Sequence, residues 1–108
     1  MSNADVWKLV EQQFAIASKA VEDLQKIESS LALVQETLEK TERFYEAYPT
    51  AENLENLNQA KLLFSRALAL AQEQKKRADL AVADAASILE FAKRAEGLSD
   101  AGDNPAGS

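Results

Sequence analysis

The stretch Tyr48-Pro49-Thr50-Ala51-Glu52-Asn53 constrains this chain more than any other, because it is the one strong helix-breaking signal between two long helical patterns of nearly equal length. Proline lacks a backbone N–H and drives the residue before it out of the α region, so a first helix must end near Tyr48. Thr50 is placed to cap a second helix. Glu52 would then lie in its first turn, where a negative charge meets the positive end of the helix dipole. A connection this short joins antiparallel neighbours. The sequence therefore predicts an all-α, coiled-coil-like two-helix hairpin, with helix 1 over about 3–47, a turn at 48–50 and helix 2 over about 51–96. Ser2 or Asn3 would cap the first helix, and Gly97 reads as the residue that stops the second. Residues 98–108 are rich in breakers and lack periodicity, which predicts a disordered tail.

A chain of 108 residues suits one domain, but a two-helix hairpin encloses less core than a globule of that length. The absence of cysteine excludes disulfides, iron–sulfur clusters and thiol catalysis. With no histidine either, the usual zinc, haem and general-base residues are missing, and no catalytic, cofactor or metal site is expected. A net charge of −6 and a pI near 4.6 argue against nucleic acid or an anionic membrane as partner. No apolar stretch approaches the roughly 20 residues of a membrane span, and the N-terminus lacks a basic segment followed by an apolar run. The expectation is a soluble, cytoplasmic chain, or one secreted without a signal peptide.

In the first arm, Trp7, Val10, Phe14, Ala17, Val21 and Leu24 alternate by three and four, as the inward positions of a heptad do. The pattern resumes at Leu31, Val34, Leu38, Thr41, Tyr45 and Tyr48, after a three-residue slip near Ile27. That slip, beside Ser29-Ser30, predicts either local overwinding or a break that would make the protein three-helical. The second arm keeps phase from Leu54 through Leu57, Lys61, Phe64, Leu68, Ala71, Lys75, Ala78, Val82, Ala85, Leu89 and Ala92. Leu68 is a core position on this phase, so a charge there is expected to break the assembly. Beside the seam lie Ala60, Ala67, Ala81, Ile88 and Ala95, with Leu63, Leu70 and Phe91 further round.

So wide an apolar face exceeds what one helix covers. The candidate interaction residues are Leu57, Leu63, Phe64, Leu68, Leu70, Val82, Ile88, Leu89 and Phe91, with Phe44, Tyr45 and Tyr48 as possible contacts at the tip. They predict a homodimer, two hairpins forming a four-helix bundle, or a complex with another helical protein. If the arms meet with residue numbers summing to 98, six opposite charges face each other: Asp5 and Lys93, Lys8 and Glu90, Lys19 and Asp79, Glu22 and Lys76, Asp23 and Lys75, Arg43 and Glu55. Such pairs would set register more than stability.

Three function classes follow. The first is a non-enzymatic assembly or interaction module acting through helix packing. The second is a small helical bacterial secretion substrate or chaperone, although the Trp-x-Gly turn that marks one class of secreted hairpins is absent, the only tryptophan being Trp7. The third is a magnesium-dependent all-α hydrolase built on Glu36, Glu39, Glu42, Glu46, Glu52 and Glu55, which would need these carboxylates to converge on a core. Interleaved Lys40 and Arg43 make a solvated face the expected reading instead.

Overall fold

The computed structural model describes residues 2–102, with side chains through Gly97. Helix α1 spans Asn3–Ala47 and helix α2 spans Ala51–Gly102, packed as an antiparallel hairpin. The chain divides into two compact units: a terminal unit of Met1–Ala20 with Arg77–Ser108, and a turn unit of Val21–Lys76.

The turn forms as its residues dictate. Tyr48 N–H still donates to Phe44 O at 2.9 Å, then Thr50 N–H closes a tight bond round Pro49 to Tyr48 O at 2.8 Å. Thr50 Oγ1 accepts from Asn53 N–H at 3.1 Å, and Thr50 O accepts from Leu54 N–H at 3.0 Å. This is an N-cap, which satisfies a donor the helix itself cannot. Asn53 adds a strap, its Nδ2 donating to Tyr48 O at 2.8 Å across the turn. At the other start, Ser2 Oγ accepts from Asp5 N–H at 3.3 Å and donates to Asp5 Oδ2 at 3.0 Å, a reciprocal cap that opens α1.

The seam of α1 follows a different phase from the one its large apolar residues suggest. Among its covered positions, Val6, Val10, Gln13, Ala17, Ala20, Leu24, Ile27, Leu31, Val34, Leu38, Thr41 and Tyr45 form a row that alternates by four and three without interruption, with half-buried Trp7, Val21, Asp23 and Glu42 beside it. There is no slip at Ile27 and no break: Ser29 and Ser30 donate back to Gln25 O and Lys26 O at 3.0 and 3.1 Å, within a continuous helix. Trp7 and Phe14 stand beside the seam rather than in it, and Phe14 is exposed.

The cause lies on α2, whose seam is Leu57, Ala60, Phe64, Ala67, Ala71, Gln74, Ala78, Ala81, Ala85, Ile88, Ala92 and Ala95. In the terminal unit these positions are almost all alanine, and Ala78, Ala85 and Ala92 are at most 3% exposed. Helix separation is set by the side chains at the contact, so an alanine seam leaves no width for an indole or phenyl ring. The rings move to the edge, where they lie across the junction; Trp7, with Ile88 and Leu89, flanks the buried cluster of Val6, Val10 and Ala92. By the same rotation, Lys61, Leu68, Lys75 and Val82 leave the seam for its edge and are exposed, so the core expectation for Leu68 is corrected.

α2 also runs past its expected end near residue 96, through Gly97 to Gly102. Gly97 has no positive φ, and a Cβ built on it meets nothing within 4 Å. Glycine weakens a helix by about 1 kcal/mol but does not stop one without a left-handed cap. Of the expected tail, residues 103–108 lie outside the described residues.

Three substitutions have expected outcomes in denaturant unfolding monitored by circular dichroism. Thr50→Ala should lower stability by about 1 kcal/mol through loss of the cap. Ala85→Leu should cost about 1–3 kcal/mol by forcing the helices apart, whereas Leu68→Asp, at an exposed edge, should cost less than about 1 kcal/mol.

Candidate interaction face

Heptad geometry gives each helix two edges beside the seam, and in an antiparallel pair like edges meet. In the turn unit the two sides differ chemically. One carries Glu28, Gln35 and Glu42 from α1 against Leu54, Lys61, Leu68 and Lys75 from α2, mostly charged and polar. The other carries Ser30, Thr37 and Phe44 from α1 against Asn56, Leu63 and Leu70 from α2, with Leu33 beside them. Leu33, Phe44, Leu63 and Leu70 are all more than half exposed.

This second side is not smooth. Three open depressions repeat along it: one of about 470 Å³ between Lys40, Thr41, Phe44, Asn53 and Asn56; one of about 210 Å³ between Leu33, Val34, Thr37, Ala60 and Leu63; and one of about 290 Å³ between Lys26, Ile27, Ser30, Ala67 and Leu70. Equivalent lining residues are seven apart, which spaces the depressions by about 10 Å. The two farther from the turn are apolar despite their hydroxyls. Ser30 Oγ donates to Lys26 O at 3.1 Å and Thr37 Oγ1 donates to Leu33 O at 3.1 Å, leaving carbon to face the groove.

The terminal unit is apolar on both edges. Trp7, Phe14, Val82 and Leu89 occupy one side, ending at Glu96; Leu9, Ile16 and Phe91 occupy the other, interrupted by Arg77 and Asp84. The residues singled out in the sequence therefore separate into three sets. Leu57, Phe64 and Ile88 belong to the seam; Leu68, Val82 and Leu89 line one edge; Leu63, Leu70 and Phe91 line the opposite one. At the tip, Phe44 and Tyr48 are exposed and pack with ring centroids 5.3 Å apart and planes tilted by 53°, while Tyr45 turns inward as a seam residue. Exposed Leu9, Ile16, Leu33, Leu62 and Leu80 were missed by sequence reasoning, and Leu54, expected in the seam, is exposed. For Leu9 and Ile16 the signal exists: with the corrected phase they share one edge position of α1 with Phe44.

Two of the six expected cross-arm charge pairs are replaced by pairs within a helix. Glu22 bonds Lys26 at 3.3 Å and Glu90 bonds Arg94 at 2.7 Å; Glu36 likewise bonds Lys40 at 3.2 Å. The geometry explains this, since Lys8, Glu22, Arg43, Glu55, Lys76 and Glu90 all occupy the outermost heptad position, on the backs of the helices. Among the described residues no group of three or more acidic side chains is arranged to hold a metal ion, and no helix is long and apolar enough to cross a membrane.

No protein-family model, curated protein or solved structure matches the chain.

Substitution separates tip from seam. Phe44→Ser and Tyr48→Ser should each change the unfolding free energy by less than about 1 kcal/mol, whereas Tyr45→Ser should cost about 2 kcal/mol.

Proposed function

We propose that the chain is a non-enzymatic helical assembly module, whose mechanism is the burial of its exposed seam edges against further helices. One observation carries this reading. Among the described residues nine are buried, six of them alanine, whereas fourteen large apolar side chains are exposed. No large side chain is fully buried. A folded chain that leaves fourteen large apolar side chains 37–66% exposed gains little from their burial when alone, since burial contributes about 25 cal/mol per Å². The exposed leucines and phenylalanines recur at heptad edge positions, so a helix running along the hairpin is the shape that covers them. The charged backs of both helices, with their internal ion pairs, remain in water.

A photo-cross-linking amino acid placed at Leu63 or Phe91 tests the reading. Adducts to a helical segment of another chain, either a second copy or a different protein, are the expected result. A chain that gives no adducts and unfolds cooperatively as a monomer would overturn it.

A further inference from the structure

Resting on the interaction reading above, we infer that the leucine side of the turn unit is a self-association surface, on which a second copy of the chain packs about a two-fold axis parallel to the helices. The argument is one of size. At the edge positions flanking this side, α1 contributes the small residues Ser30 and Thr37, and α2 contributes the large residues Leu63 and Leu70. Both pairs are seven residues apart, so projections and depressions share one pitch of about 10 Å.

Two stackings of like faces have two-fold symmetry. If α1 lay on α1 and α2 on α2, small residues would oppose small ones and leucines would oppose leucines, leaving voids in one row and crowding in the other. If α1 of one copy lies on α2 of the other, both edge leucines of α2 meet a small residue, and Leu33 lies level with the partner's Arg66. Leu63 faces the partner's Thr37, and Leu70 faces the partner's Ser30. The chain thus carries both halves of a knobs-into-holes contact, and a second copy supplies the complement without any other partner.

Charge agrees with the same stacking. The outer border of this side on α1 holds Lys26 and Lys40 with Leu33 between them. Stacking α1 on an antiparallel α1 centred at Leu33 would place lysine against lysine. Stacking it on α2 places Lys26 level with the partner's Glu73 and Lys40 level with the partner's Gln59. The hydroxyls of Ser30 and Thr37 already donate to their own helix, so covering them leaves no donor unsatisfied. From Lys26 to Phe44 the surface is about 28 Å long and two helices, about 20 Å, wide. That is about 600 Å² from each copy, at the lower limit for a specific interface, which makes a reversible, concentration-dependent dimer.

Light scattering on a dilution series of the intact chain tests this. The mass should rise with concentration to twice the 11.8 kDa of one chain. Leu63→Lys with Leu70→Lys should raise the dissociation constant at least about tenfold while helicity is retained, because both positions are exposed in one hairpin. Leu54→Lys, on the charged side of the same unit, should leave it unchanged. For orientation, the absence of native cysteine permits single variants Ser30→Cys and Leu70→Cys, oxidised as an equimolar mixture. The mixed disulfide should dominate; a dominant Leu70→Cys homodisulfide would overturn the proposed stacking. Wild type that stays monomeric would overturn self-association altogether. If that monomer still gave photo-adducts to a different helical protein, the interaction reading would stand and only its self-directed form would fall.

Discussion

The alanine seam of α2 sets the distance between the helices, and most of the remaining architecture is a consequence of that distance. In the terminal unit such a seam leaves no width for rings, so Trp7 and Phe14 stand at its edge, whereas Tyr45 and Phe64 lie in the seam of the turn unit. Toward the turn the seam widens chemically, with Leu57 and Phe64 alternating with Ala60 and Ala67 against Leu31, Val34 and Leu38. A seam this thin buries little, and the chain's large side chains collect along its two edges. Fold and interaction surface are therefore one choice of residue size: the alanines that let the helices meet are the reason the leucines stay outside.

Each helix is also held by bonds to itself. The ion pairs Glu22 with Lys26, Glu36 with Lys40 and Glu90 with Arg94 are each one turn apart and more than half exposed, their glutamates on the backs of the helices, and each contributes about 0.2–0.5 kcal/mol. Ser29, Ser30, Thr37 and Thr41 all donate to the carbonyl four residues earlier. On the leucine side of the turn unit, such bonds leave the hydroxyls of Ser30 and Thr37 with no donor that needs an external partner.

Much of this was legible in the sequence, and the part that was not has a definite physical cause. Pro49, Thr50 and the paired arms established the hairpin and its turn to the residue, because proline and a cap act locally. The fine rotation of each helix was harder. Val10, Ala17 and Leu24 fit two phases equally well, and hydrophobicity favours Trp7 and Phe14 over Gln13 and Ala20 as their companions. Only the opposing helix decides, since its alanines leave no room for rings; that is a tertiary effect and no periodicity within one arm contains it. The expected slip at Ile27 was the seam of one phase joined to the seam of another. Charge pairing misled for a related reason: opposite signs at matching heights say nothing about which way the side chains face, and Lys8, Glu22, Lys76 and Glu90 face outward. The stop at Gly97 failed because a glycine ends a helix through its backbone angle, which composition does not reveal.

The short turn has a consequence for how the molecule acquires its shape. Thr41 and Asn53, beside the turn, are close in sequence, so bringing them together removes little chain entropy. Val6 and Ala92, in the terminal cluster, are separated by almost the whole chain, and their meeting is inexpensive only after everything between has closed. Closing the contacts beside Pro49 therefore costs the least chain entropy, and closing the terminal cluster first would cost the most.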